Sequence, residues 1–443
     1  MAAGGFLEQG LSLEAFSKAS DLKNRLLFSL MALFVYRIGT YVPLPGLDPE
    51  IISQLAKKYL AGGGLLGMFN MFSGGALSRM TIFALNLMPY ITSSIVMQLF
   101  TMVSPTLEAL KKEGENGRKK INQYTRYLTI VVAGVHAFAI SILLMNVPNS
   151  PVVIGAVFPL VAVPSLVCGT MFLVWLGEQI TSRGVGNGSS LLIFAGIVAN
   201  MPTSILNIFE LGRAGALSVL AVVTIFALAI AVIAFVVFME RAQRRVNIHY
   251  PQKQAMMAQN KHMDASHLPL KINSAGVMPP IFAYALLALP MTLMSFANKS
   301  DNAVINYIFN FFERGDVFFS LVLVVLIIFF SFFYTAIVFN PVETADNLKK
   351  AGGFVPGVRP GQATADYLDY ILTRLTTVGA LYMSLVCILP DIVRSHWGVN
   401  FIFGGTGILI IVGVTIDTIS QVYTHILSHQ YKGVLRKMEK KNR

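Results

Sequence analysis

Length and composition already exclude a soluble protein. The sequence has 443 residues, of which 55% are hydrophobic and 13% charged, with a mean hydropathy of +0.64 and a formal net charge of +12. A soluble core could not hold this much apolar surface, so a polytopic membrane protein is predicted. Cys168 and Cys387 lie in apolar runs, where cysteine usually packs as a small side chain, and we predict neither a disulfide nor a metal site.

Residues 1–22 come first, and they lack the continuous apolar region that follows the basic start of a signal peptide. The segment FLEQGLSLEAFSKAS instead predicts a short amphipathic helix on the cytoplasmic surface of a membrane. Behind it, ten apolar runs reach the length of about 20 residues that a bilayer span requires. They cover residues 24–43, 81–103, 122–145, 157–177, 187–206, 215–238, 275–295, 317–339, 370–391 and 402–424.

The basic residues predict the orientation of these spans. If the N-terminus is cytoplasmic, 26 of the 34 Lys and Arg residues lie in or beside inner segments, and 8 lie in or beside outer ones. The positive-inside rule therefore predicts that both termini are cytoplasmic, with a basic tail at residues 426–443.

Ten spans divide into two halves of five, residues 23–210 and 211–425, and a repeated five-span unit must enter the membrane from opposite sides. We therefore predict inverted repeats. The second span of each half contains a similar string, MPYI at Met88–Ile91 and MPPI at Met278–Ile281. Helices interrupted by proline at matching places mark a central pathway, although such prolines can also kink helices for packing alone.

The stretch at residues 65–79, just before the second span, carries too few apolar residues to cross a bilayer. A short re-entrant helix could stopper the outer funnel of a pore, with Gly74-Gly75 permitting movement. The side chains that would fill the funnel are Met68, Phe69, Met71 and Phe72. The alternative is an interfacial helix whose Arg79 reaches lipid phosphates.

Two cytoplasmic loops are long, residues 239–273 and 340–369, and long loops in a compact protein usually bind something. The second contains GGFVPGVRPG, in which Gly and Pro would hold Arg359 on a stiff tip. The first collects basic residues, a bias that topology alone explains. These residues are Arg241, Arg244, Arg245, Lys253, Lys261 and Lys271.

The chemistry of an enzyme or an ion-coupled pump is nearly missing. Only Asp417, Glu178 and His136 are main candidates for ionisable groups in spans, and one acid makes a poor proton relay. No P-loop occurs, and the GxGxxG match in GGGLLG follows no strand. Ser73 has no visible His or Asp partner for serine-protease chemistry. We predict no catalytic activity and no cofactor.

Three long strings resemble the SecY family, the large subunits of bacterial protein translocases. They are FNMFSGGALSR, GEQITSRGVGNG and FFYTAIVFNPVETADNLKKAGGFVPGVRPG, and the resemblance runs from residue 25 to residue 425. It implies an all-α clamshell of ten transmembrane helices that conducts unfolded proteins through the inner membrane. It also implies that residues 65–79 form a plug, with Met68, Phe69, Phe72, Ser73, Gly74, Gly75 and Arg79 among its residues.

The same resemblance implies roles for other residues. The pore ring corresponds to Leu87, Ile91, Ser189, Ile193, Ile281 and Ile410, with Ser189 in place of the usual aliphatic residue. A lateral gate, which would release signal sequences and nascent membrane proteins into the lipid bilayer, corresponds to Pro89, Gln98, Asn273, Pro279 and Pro280.

Implied partners are the SecE and SecG subunits, the motor ATPase SecA and the ribosome. Arg359 corresponds to the basic residue that engages SecA and the ribosome, and Arg244 and Arg245 to the basic tip of the other loop. Val342 stands where many relatives carry arginine.

Two other classes of membrane protein are also compatible with the sequence when only the residues are considered. An inverted-repeat secondary transporter shares the symmetry and the broken helices, but it should show intramembrane charges with partners and has no use for two long basic loops. A non-transporting membrane scaffold would explain the loops but not the matched prolines.

Overall fold

The computed structural model describes residues 20–60, 70–147, 150–215, 218–250, 267–296, 317–397 and 405–441, and most of this part of the chain is helical. In chain order the elements are α1 (Ser20–Gly39), α2 (Pro49–Leu60), α3 (Met88–Val103), α4 (Pro105–Lys112), α5 (Glu115–Asn146), α6 (Phe158–Arg183), α7 (Gly188–Arg213), α8 (Val219–Arg241), β1 (Gln243–Asn247), β2 (His267–Lys271), α9 (Met278–Phe296), α10 (Val317–Val338), α11 (Pro341–Lys350), α12 (Gln362–Trp397) and α13 (Gly405–Lys441).

Each of the ten predicted spans coincides with a helix, namely α1, α3, α5 to α10, α12 and α13. Within the described ranges, seven helices are long and apolar enough to cross a membrane, and Met88–Val103 and Met278–Leu287 are shorter apolar helices. The remaining one of these ten helices, α1, carries its charged residues near its two ends. The prediction of an all-α polytopic membrane protein is therefore confirmed.

Packing divides the described residues into two compact units. The first holds the chain up to Asn207 together with residues 285–296 and 410–441, and the second holds residues 208–284 and 317–409. The inverted relation between the two halves of the sequence stays a prediction.

The core of the first unit forms where α5 packs against α3 and α6. Ala133 and Ala137, one turn apart on α5, are fully buried in a cluster with Leu44, Phe158 and Leu166. Small side chains at such positions let neighbouring helix backbones approach closely, which stabilises helix pairs inside a membrane.

The second span begins later than predicted. Residues 81–87 form turns, and helix α3 starts only at Met88. Pro89 explains the difference, because proline has no backbone N–H to donate to the carbonyl of residue 85, and its ring would clash with that carbonyl. A helix can therefore begin just before Pro89 but cannot run through it unbroken.

The paired prolines begin helices and do not interrupt them, which corrects the sequence-based expectation. Pro89 occupies the first turn of α3, and Pro279 and Pro280 occupy the first turn of α9. The first N–H groups of a helix have no intrahelical partner, so proline costs little there. Both helices nevertheless begin at the methionine of the matched strings, Met88 and Met278.

The two long loops, which were predicted to be cytoplasmic, share a substructure in the second unit. Strands β1 and β2 pair antiparallel, and His249 and Phe354 exchange backbone hydrogen bonds of 2.9 and 3.0 Å that join the first loop to the second. Val246 and Leu270 are buried beneath the hairpin in a cluster with Val355. The sequence predicted no strand, so this hairpin is an addition to the all-α plan.

Candidate functional site

The described part of the predicted plug, residues 70–79, is here called the plug segment. Residues 65–69, including Met68 and Phe69, lie outside the described residues. Within the plug segment, residues 70–72 are helical and residues 73–79 form turns. Gly74 and Gly75 have φ of +66° and +83°, a conformation that glycine adopts without steric cost.

The plug segment is buried in the first unit. Phe72 and Ser73 are 4% and 1% exposed. Asn70 closes the segment on itself, because its backbone carbonyl accepts from the Gly75 N–H at 2.9 Å and its side-chain oxygen accepts from the Ser78 N–H at 2.8 Å. The chain here is therefore a folded loop with internal hydrogen bonds.

Helix α7 provides a seat for the plug segment. The side-chain amide of Asn200 donates to the carbonyls of Asn70 and Met71, both at 3.3 Å. One turn earlier, a Cβ added at Gly196 would lie 2.3 Å from the carbonyl oxygen of Phe72. The missing side chain at Gly196 therefore allows the plug backbone to lie directly on α7.

Two more side chains hold backbone carbonyls of the plug segment. Asn86 donates to the carbonyl of Phe72 at 2.6 Å, and Arg37 of α1 donates to that of Gly74 at 3.0 Å. The last carbonyls of a helix have no intrahelical partner and cannot be left bare in an apolar environment. Side chains from outside the segment thus donate to four of its carbonyls, and those of Asn70 and Met71 also accept backbone N–H groups.

Arg79 faces the protein. Its guanidinium lies 4.1 Å from the ring centroid of Tyr41 and donates to the carbonyl of Thr40 at 3.3 Å. Arg37 shares the same ring at 5.0 Å and hydrogen-bonds its hydroxyl at 3.0 Å. These contacts do not fit the alternative in which Arg79 reaches out to lipid phosphates.

The sequence did not reveal the residues that hold the plug segment. Asn86, Asn200 and Arg37 stand 14, 130 and 37 residues from the carbonyls they bind. The available signal was an amide or guanidinium inside an apolar run, since polar groups within membrane spans are costly and usually functional.

The predicted pore residues are distributed over both units. Leu87 and Ile91 are buried one turn apart at the start of α3, and Ile193 is buried on α7. Ser189, one turn before Ile193, is half-buried, and its hydroxyl donates to Asn187 Oδ1 at 2.8 Å. The other two predicted residues are also buried, Ile410 in the first unit and Ile281 in the second.

The predicted gate residues likewise lie in both units. Gln98 of α3 donates to Ser94 Oγ at 3.3 Å, while its buried side-chain oxygen has no hydrogen-bond partner among the described residues. Asn273 is buried in the second unit and donates to Glu240 and to the carbonyl of Gly276. Pro89, Pro279 and Pro280 occupy the helix starts described above.

The structure corrects the placement of the first loop's arginines. Arg244 and Arg245 were predicted at the tip of the loop, but they lie on strand β1, directly after α8. Both residues belong to the antiparallel pairing of β1 with β2. Both side chains are exposed, as is that of Arg359 on the second loop.

Arg359 lies in a tight turn. Gly357 and Gly361 on either side have φ of +81° and +110°, and the Thr364 hydroxyl donates to the Arg359 carbonyl at 2.8 Å. Val342, two residues into α11, is also exposed. The arginine is therefore presented to solvent from a backbone fixed on both sides.

The candidate ionisable groups of the spans do not form a relay. Glu178 is bound by the guanidinium of Arg126 through two hydrogen bonds of 3.0 and 2.5 Å, and both side chains are more than a third exposed. Asp417 is exposed on α13, and the buried Nε2 of His136 has no hydrogen-bond partner in the described ranges. Those ranges also contain no group of residues suited to bind a metal ion.

Comparison with known sequences places the chain in a family. The SecY family model matches residues 81–419. The protein translocase subunit SecY of Vibrio cholerae is 51% identical over 431 residues, covering 96% of each chain. That of Escherichia coli strain K12 is 49% identical over 424 residues, covering 94% of each chain.

Solved structures show the same fold at low sequence identity. A protein-conducting channel aligns with a TM-score of 0.67 at 15% identity, over 92% of this chain and 93% of that one. A second structure is that of a SecY channel whose plug domain stabilises the closed state. It aligns with a TM-score of 0.65 at 17% identity, over 92% of this chain and 93% of that one. Sec61 from a canine ribosome–channel complex aligns at 0.61 and 15% identity, again with this coverage.

The family model thus covers most of the chain, and relatives near half identity span nearly all of it. This chain belongs to the SecY family of protein translocase subunits, which are channel subunits and not enzymes.

Proposed function

We propose that this chain is the central protein-conducting subunit of a bacterial Sec translocase. It passes unfolded secretory proteins across the inner membrane and releases transmembrane segments into lipid through a lateral gate. Family membership and the seven apolar helices support this function. The two classes left open by the residues, a transporter and a scaffold, receive no support from the paired, exposed Glu178 or from the family.

The observation that carries the proposal is the hydrogen bonding of the plug segment. Asn200, Asn86 and Arg37 donate to carbonyls at positions 70, 71, 72 and 74, so the segment is held by reversible polar contacts. Each such hydrogen bond contributes about 1 kcal/mol, which is enough in sum to favour a closed state yet small enough to be overcome. A segment attached in this way is suited to leave and return.

The pore ring is the second part of the proposal. Leu87, Ile91 and Ile193, with Ile281 and Ile410, surround the path of the translocating chain. Aliphatic side chains offer an extended polypeptide no hydrogen bonds, and they exclude ions by dewetting. Ser189 weakens the apolar seal at one position, so the plug segment carries more of the barrier.

The lateral gate is the third part. Family membership supports a gate seam that includes the helix starts at Pro89 and Pro279-Pro280, with Gln98 and Asn273 as its polar residues. A signal sequence has an apolar region of about 7 to 15 residues, which can enter lipid through this seam while hydrophilic chain occupies the pore.

Partner proteins supply the energy for transport. No P-loop occurs in the sequence, so the energy for transport comes from SecA or from the ribosome. The exposed Arg359, Arg244 and Arg245 bind these partners, and contact with ribosomal RNA is electrostatic and without base specificity. SecE and SecG complete the complex, and both termini of this chain are cytoplasmic.

Deletion of residues 68–75 tests the proposed plug. Membrane vesicles that contain the complex should show a raised ion conductance and only a modest loss of precursor export, because the deletion removes the stopper and leaves the pore ring. Vesicles with the unaltered chain provide the control. An unchanged conductance at equal protein content would contradict the proposed plug.

A further inference from the structure

A partly buried polar cluster lies where the cytoplasmic hairpin joins α9. Glu240, in the last turn of α8, accepts a hydrogen bond from Asn273 Nδ2 at 2.6 Å and a short one from the hydroxyl of Tyr382. Asn273 also donates to the carbonyl of Gly276 at 2.9 Å. Asn273 and Tyr382 are 4% and 5% exposed. One carboxylate therefore connects α8, the segment before α9 and α12.

The backbone around this cluster is closely packed on both sides. A Cβ added at Gly379 of α12 would lie 2.9 Å from the carbonyl oxygen of Ile272, so the segment before α9 lies directly against α12. Tyr382, three residues further along α12, packs edge-on against Phe235 of α8, with ring centroids 6.3 Å apart. The Ile272 N–H donates to the carbonyl of Ala242 at 3.1 Å and closes the base of the hairpin.

The position of the cluster in the chain determines what it can do. Residues 272–277 are the only covalent link between strand β2 and α9. The hairpin carries Arg244 and Arg245, and α9 begins with the predicted gate residues Pro279 and Pro280. Any displacement of the hairpin that reaches α9 through the chain must pass through the segment that Glu240 holds.

We infer that Glu240, Asn273 and Tyr382 form a polar pin that fixes the start of α9 and couples the cytoplasmic hairpin to the gate helix. This inference rests on the proposed function. The pin acts by positioning α9 and makes no contact with the transported chain. Hydrogen bonds to a carboxylate are stronger than those between neutral groups, and a buried donor left unpaired is costly. The pin therefore favours one discrete arrangement of the start of α9, which is the closed-gate arrangement under the proposed function.

Release of the pin should make the gate easier to open. In the intact channel, a signal sequence must supply the free energy that moves α9 out of its pinned arrangement. If one hydrogen bond of the pin is removed, a weaker signal sequence should suffice. The export of precursors with impaired signals is therefore the sensitive measurement.

Tyr382→Phe is the deciding variant, because it removes the hydroxyl and keeps the ring that packs on Phe235. Export into membrane vesicles containing the complete complex is measured for two precursors, one with an intact signal and one whose apolar region is shortened. The ratio of shortened-signal to intact-signal export should rise about tenfold. Tyr370→Phe, an exposed tyrosine on the same helix, should leave the ratio unchanged. A Tyr382→Phe ratio within about twofold of the unaltered chain would overturn the pin.

A second measurement separates positioning from a general loss of structure. Glu240→Gln keeps an acceptor and loses the charge, and its effect combined with that of Tyr382→Phe should be smaller than the product of the two single effects. Hydrogen exchange should increase over residues 272–281 in Tyr382→Phe. Independent effects, or exchange that increases along all of α12, would contradict the inference.

The unaltered chain distinguishes failure of the proposed function from failure of the pin. If vesicles with the unaltered chain fail to export the intact precursor, the proposed function is wrong. If they export it and Tyr382→Phe behaves identically with both precursors, only the pin is wrong.

Discussion

At the scale of single residues, the plug segment depends on amide and glycine positions. Asn200 and Gly196 lie one turn apart on α7, and together they provide a donor and a space for the plug backbone. An amide side chain on the surface of a membrane-spanning helix is energetically costly unless it has a hydrogen-bond partner. The plug carbonyls provide those partners.

Asn200→Ala should loosen the plug. The variant removes the amide that donates to the carbonyls of Asn70 and Met71, at a cost of about 1 kcal/mol, so the unplugged fraction should rise about fivefold. Ion conductance of reconstituted vesicles measures this fraction. Asn207→Ala, at an exposed asparagine of the same helix, is the matched control. Equal conductance of the two variants would mean that Asn200 does not hold the plug.

Gly196→Ala should displace the plug by steric overlap. The added Cβ would lie 2.3 Å from the Phe72 carbonyl oxygen, so the plug backbone or α7 must shift. We expect increased ion conductance and faster proteolysis or labelling of the plug segment. Gly134→Ala on α5 is the control, because its Cβ would meet nothing within 4 Å. Equal conductance and equal proteolysis of the two variants would show that the plug backbone does not pack against Gly196.

The sequence predicted part of this site and missed the rest. It marked Gly74-Gly75 and Arg79 as unusual beside a span, because glycine pairs and arginine are out of place in an apolar run. It did not connect them with Asn86 or Asn200, since long-range contacts leave no trace in local composition.

At the scale of elements, apolar runs determined the helices well and their starts less well. Each predicted span holds a helix, but α3 begins at Met88 because Pro89 fits only the first turn. The hairpin of β1 and β2 was missed for a physical reason. Val246 and Leu270 are the only buried residues of their strands, so the strands lack the alternation that would have marked them.

The second long loop, residues 340–369, gives a prediction at this scale. Arg359→Glu should block SecA-dependent export and leave membrane insertion of the chain intact, because the side chain is exposed and its turn is fixed by glycines and by Thr364. Export of a secretory precursor and the amount of chain in the membrane are the two measurements. Arg118→Glu reverses an exposed charge at the start of α5 and should preserve export. Normal export by Arg359→Glu would contradict the assigned role.

At the scale of the whole molecule, the important feature is that the predicted pore residues carry no charge. The predicted pore residues are aliphatic apart from Ser189, and Glu178 is paired with Arg126. A solute transporter must bind its substrate, whereas a channel for unfolded chains must avoid binding what it passes. The predicted pore residues other than Ser189 are apolar, as expected for a channel that does not bind the chain it passes. The family of this chain, a family of channel subunits, agrees with this.

Crosslinking from the pore ring tests this account most directly. Ile91→Cys is introduced after Cys168 and Cys387 are replaced, and a secretory precursor is stalled during export. We predict a crosslink from position 91 to the stalled precursor, and none from a control cysteine at Val131, which is exposed on α5. Crosslinking of position 91 only to lipid or small solutes would contradict it.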